Sequence, residues 1–107
     1  MHTWIGNRWI RAARRILISA YFGKERYAAA RAQLIQMLES LSSDAKKKGE
    51  RSSELSNDIG FTYFREQKLR EAEDWFKTSI RESSRHNTLP YRNLTHLYDV
   101  QAGTGKP

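Results

Sequence analysis

Three histidines, twelve carboxylates and a scatter of serines are the side chains of this 107-residue sequence that could do chemistry. Their spacing argues against most of it. His2, His86 and His96 stand far apart, without the i, i+4 pairing that sets two imidazoles on one helix face around a metal. No serine sits in a Gly-x-Ser-x-Gly turn. There is no cysteine, so neither a thiolate nucleophile nor a disulfide framework is available. Glu71, Glu73 and Asp74 are set among Arg70 and Lys77, and read as helix surface charge. Gly103-Thr104-Gly105-Lys106 invites a phosphate-loop reading. That motif needs a glycine five residues before the Gly-Lys pair and a Ser or Thr after it, where Val100 and Pro107 stand. No base, nucleophile and oxyanion donor come together, so a non-enzyme without metal or cofactor is expected.

The cations are more informative. Formal net charge is +7, and no acidic residue precedes Glu25. Arg8, Arg11 and Arg15 fall at i, i+3 and i+7 on one helix face. This pattern has three readings: the solvated face of a packed helix, a surface for an acidic protein, RNA or anionic lipid, or an organellar targeting segment. The third sits poorly with the chain, because residues 15 to 22 already belong to a helix that the rest of the pattern requires. Lys46-Lys47-Lys48-Gly49 reads as a solvated linker. No recognised nucleic-acid motif accompanies the charge.

These side chains must be positioned by helices. Ile5, Trp9, Ala12, Ala13, Ile16 and Ala20 make one stripe over residues 4 to 22, expected to be its packed face. Ile59 and Tyr63 share a face, as do Leu69, Ala72, Phe76 and Ile80, with Glu66-Gln67-Lys68 as a turn between them. Gly60 and Ala72 are the small members of these faces and would let two backbones approach closely. A shift of 42 residues lays Tyr21-Phe22 on Tyr63-Phe64, Ala30 on Ala72, Leu34 on Phe76 and Leu38 on Ile80. Leu94 and Tyr98 repeat the Ile59/Tyr63 spacing in a partial third copy, whose helix starts near Pro90.

Gly60, Tyr63, Ala72, Phe76 and Ser79 fall in the order of small, Tyr, Ala, aromatic and small residues that marks the tetratricopeptide repeat. The sequence resembles that family over residues 11 to 100. It departs at Ser56, where a large apolar residue is usual, and at Ser84, near the usual proline. The resemblance implies an all-α, short right-handed array of helical hairpins, about six helices with a terminal capping helix. It also implies a concave groove lined by the first helix of each pair. Carried over by the repeat alignment, the groove takes Arg15, Ser19 and Phe22 from the first copy. The second gives Asn57, Phe61, Phe64 and Arg65, and the third Arg92, Asn93 and His96. Asn57 and Arg92 could supply parts of a carboxylate clamp, though the first copy lacks its share of one.

The expected organisation is a basic amphipathic segment over 1–10, the repeat domain over 11–100 with a polar loop near 43–52, and a tail over 101–107. No apolar run approaches a membrane span. The expected function is an adaptor that binds a peptide or helix of a protein partner in the groove, and the net charge suggests that this partner is acidic. The alternatives are a basic helical protein for nucleic acid or an anionic surface, and a piece of a longer repeat-containing regulator. Self-association through the N-terminal end is a further expectation. The lack of cysteine fits a cytoplasmic protein.

Overall fold

The computed structural model describes residues 3–44, 49–83 and 87–103, with side chains from Trp9 onward. Those residues are helical throughout, apart from turns, and contain no strand. Among the described residues five helices follow one another: α1 Thr3–Gly23, α2 Tyr27–Glu39, α3 Glu50–Arg65, α4 Leu69–Glu82 and α5 Leu89–Gln101. The sequence pattern expects about six. Each helix packs on the next in the chain, and α3 also touches α5. The helix α3 begins at Glu50, so part of the polar stretch expected as a loop near 43–52 is helical. Residues 45–48 of that stretch, with the lysine run, lie outside the described residues.

The α1–α2 and α3–α4 turns have the same construction. Glu25 and Gln67 both take left-handed φ, at 57° and 63°. The amide of Arg26 donates to the Tyr21 carbonyl at 2.8 Å and that of Glu25 to Phe22 at 3.0 Å. Lys68 donates to Tyr63 at 2.9 Å and Gln67 to Phe64 at 2.9 Å. This is the Schellman pattern, which satisfies the last free carbonyls of a helix and turns the chain back on itself. The two turns match bond for bond at the 42-residue offset.

The helices α3 and α4 form the tightest pair. A β-carbon built at Gly60 would stand 2.8 Å from two ring carbons of Phe76 and 3.1 Å from the Trp75 β-carbon. Only glycine permits this approach. Below it, Ser53 Oγ donates to the Ser79 carbonyl at 2.8 Å, and Ser79 Oγ donates to the Ser53 carbonyl at 2.6 Å. Two small hydroxyls thus satisfy each other's helix where large side chains would hold the backbones apart. Ser56 is buried and donates to Glu82 at 2.8 Å.

Two apolar clusters flank this pair. Leu34 and Met37 of α2 meet Leu55 and Ile59 of α3, with Ile18, Leu38, Tyr63 and Trp75 around them. Phe64, Ala72, Phe76 and Leu97 form the second, joined by Phe61, Leu69, Leu94 and Val100. Full burial of a side chain such as Phe76 or Leu97 contributes about 1.5–3 kcal/mol. Among the described residues one charge enters this interior. Arg31 of α2 is 9% exposed and ion-pairs with Glu66. It also lies 3.9 Å from the centre of the Tyr63 ring. The guanidinium donates to Thr62 Oγ1 at 3.4 Å, a long bond. Together these contacts balance the cost of taking the charge out of water.

The helix α1 corrects one expectation. Its apolar stripe was expected to be the packed face, yet Trp9 is 73% and Ile16 71% exposed, and Ala12, Ala13 and Ala20 are exposed as well. The Ile5 side chain lies outside the described residues. The helix packs instead through Ile18 and Phe22, on the opposite side of the cylinder, because α2 folds back against that side.

Candidate functional site

The alternate helices α1, α3 and α5 meet along one face of the molecule through side chains rather than backbone. The Phe22 and Phe61 rings are 6.0 Å apart and tilted by 35°. Asn93 Nδ2 donates to Asn57 Oδ1 at 2.9 Å. His96 meets the Phe64 ring edge-on at 5.1 Å. Six of the residues expected in a groove are therefore brought together in pairs. Two of them are almost wholly buried. Phe64 is 3% exposed and belongs to the core formed with Phe76 and Leu97. Asn57 is 2% exposed, with its carboxamide oxygen already engaged by Asn93. Both face the α3–α5 seam, so their role in the fold is to fix the spacing of those helices.

The remaining expected residues are distributed more widely. Arg15 and Ser19 are exposed on α1 and line a hollow of about 210 Å³, together with Arg51, Glu54 and Asp58 of α3. Arg65 lies beside the Phe22–Phe61 pair, where its Nε donates at 3.1 Å to the hydroxyl of Tyr27, whose ring packs edge-on against Phe22. Arg92 and His96 are exposed on α5. Arg11 is exposed on α1, and the Arg8 side chain lies outside the described residues.

A larger hollow of about 490 Å³ adjoins the first. It runs from α3 to the start of α5 and is lined by Glu50, Ser53, Glu54, Asn57, Asp58, Ser83, Asn87 and Leu89. Glu54 and Asp58 line both hollows and form the ridge between them. These two acids and Arg51 were not singled out from the sequence. Their signal was present: positions 51, 54 and 58 fall at i, i+3 and i+7, hence on one face of α3.

The charge of this ridge is tuned by position. Desolvation raises the Asp58 pKa from 3.8 to about 6. A hydrogen bond with the Asn57 side chain lowers it, the Glu54 charge raises it, and Arg51 and Arg15 lower it. Asp58 is nevertheless an exposed residue overall, so its carboxyl is crowded on one side and wet on the other, and solvent damps the shift. Arg51 and Glu54 pair at 3.2 Å on the rim. Among the described residues the lining of the larger hollow carries carboxylates and no cation, while that of the smaller one adds two guanidiniums.

Among the described residues no group of three His, Cys, Asp or Glu is placed to hold a metal ion. No helix among them is long and apolar enough to cross a membrane. Comparison with protein-family models, curated proteins and solved structures finds no match for the chain.

Proposed function

We propose that this chain is a protein–protein interaction module of the tetratricopeptide kind, which holds a segment of a partner protein along the α1–α3–α5 face. The observation that carries this reading is the pair of adjoining hollows that share Glu54 and Asp58. The matching turns at a 42-residue offset support the repeat relationship on which the groove was placed. The chemistry of the hollows sets the ligand. A lysine or arginine of the partner pairs with Asp58 and Glu54 at the α3–α5 end, and a carboxylate pairs with Arg15 and Arg51 at the α1 end. The half-buried Phe22 and Phe61, one turn beyond Ser19 and Asp58 on their helices, offer an apolar edge for a further side chain of the segment. An acidic partner, as the overall charge suggested, is favoured only at the α1 end.

A screen of a random peptide library on the immobilised chain tests this. The wild type should enrich peptides with a basic residue followed or preceded by an acidic one. Asp58→Asn should lose the basic preference and Arg15→Glu the acidic one. Enrichment of the same peptides by both variants as by the wild type would remove the hollows from the site.

A further inference from the structure

We infer that the outward stripe of α1 is a second docking surface, whose occupant is an acidic amphipathic helix of a partner protein, seated on α1 as α2 is seated on α3. The inference uses the 42-residue register of the proposed repeat but not its groove.

The seat is visible inside the molecule. On α3, the residues Ser52, Leu55, Ile59 and Thr62 are all buried. Leu55 and Ile59 pack against Leu34 and Met37 of α2, and Thr62 receives Arg31 of α2. Forty-two residues earlier, the same positions on α1 are Ile10, Ala13, Leu17 and Ala20. All four are apolar, and all four are open, with Ile10 51% and Leu17 38% exposed. Thus α3 has a helix on each side, whereas among the described residues α1 has α2 on one side only. Beside this seat stand Trp9 and Ile16, at the register places of Arg51 and Asp58. The apolar footprint of α1 is therefore wider than the one that α2 covers on α3.

The charges select the occupant. Where α2 sits on α3, its Arg31 answers Glu66. The register counterpart of Glu66 is Lys24, just past the end of α1, so a seated helix must bring a carboxylate where α2 brings an arginine. Arg14 borders the stripe, four residues after Ile10 and three before Leu17, whereas Arg11 and Arg15 share the opposite face with Ile18 and Phe22; Glu25, beside Lys24, is the first acid of the chain. A second copy presenting its own α1 would bring Arg14 and Lys24 to this face rather than a carboxylate, which opposes self-pairing through it.

The test uses the whole chain and a synthetic peptide of residues 26–41 carrying Arg31→Glu, with the unaltered 26–41 peptide as control. Titration calorimetry should show the charge-reversed peptide binding more tightly than the control. Leu17→Glu and the more exposed Ile16→Glu, both checked for unchanged helicity, should each weaken binding at least about tenfold by placing a carboxylate in the apolar contact. Asp58→Asn should leave it unchanged, which separates this surface from the groove. Equal or tighter binding of the control peptide, no binding of either, or indifference to both stripe variants overturns the inference. Stripe-dependent binding to phosphatidylglycerol vesicles without peptide binding overturns it in favour of a lipid surface. A wild-type dimer in sedimentation that Leu17→Glu dissociates overturns it in favour of a second copy.

Discussion

Gly60 lies directly over the ring of Phe76, with space for a hydrogen and none for a methyl group. Phe76 is fully buried and walled by Phe64, Ala72 and Leu97, so it cannot swing away. Gly60→Val should destabilise the fold by about 2 kcal/mol or more, since overpacking of a filled core outweighs the better helix propensity of the new residue. At Gly23 an added β-carbon meets nothing within 4 Å, and Gly23→Ala should be neutral or slightly stabilising. Thermal denaturation of the two variants checks the contrast. Equal melting temperatures would mean that α3 and α4 are not this close.

Arg31 joins α2 to α3 through Glu66, Thr62 and the face of Tyr63. Arg31→Met keeps the stem and removes the charge, leaving Glu66 half-buried without this partner. The expected loss is roughly 1–3 kcal/mol by denaturant unfolding, with Arg31→Met/Glu66→Gln less destabilised than the sum of the two single variants. Additive effects would show that the pair is energetically silent.

Asp58 gives the protein a pH-dependent term whose sign is opposite to that of a salt-bridged carboxylate. Its carboxyl holds a proton up to about pH 6 in the fold but releases it near 3.8 when unfolded. The folded state therefore binds more protons between those values. This group's contribution to stability falls as pH rises through that window and stays reduced above it. Asp58→Asn should melt higher than the wild type at pH 7.5, and the difference should shrink toward zero at pH 3.5. A variant less stable than the wild type at pH 7.5 would show that Arg15 and Arg51 outweigh desolvation.

Gln67 holds a left-handed conformation that glycine adopts at no steric cost. Gln67→Gly should raise stability by about 1 kcal/mol, the scale of the penalty for a side chain in that region. The same substitution at Glu25 should act in the same direction, because its turn carries the same hydrogen bonds. A loss of stability at Gln67 would indicate that its side chain has a role that outweighs the strain.

The sequence by itself determined the helical hairpin of α3 and α4. Gly60, Ala72 and Phe76 carry the close approach in their sizes, and the polar Glu66-Gln67-Lys68 break marks the turn. These are local properties, written in spacing and volume, and the offset of 42 located the second turn from the first. Which face of a helix is covered is not a local property. The stripe Trp9, Ala12, Ala13 and Ile16 and the patch Ile18 and Phe22 are both apolar, and only the direction in which α2 folds back decides between them. Asn57 and Phe64 fell on groove positions by register, yet α5 closes over them from some 30 residues away along the chain. Arg31 is singled out by no spacing in the sequence, and it is buried only because Glu66 and Tyr63, from a different hairpin, receive it. The acidic ridge of Glu54 and Asp58 emerged for the same reason: a carboxylate's environment depends on which helices stand beside it, and that is settled only when the chain has packed.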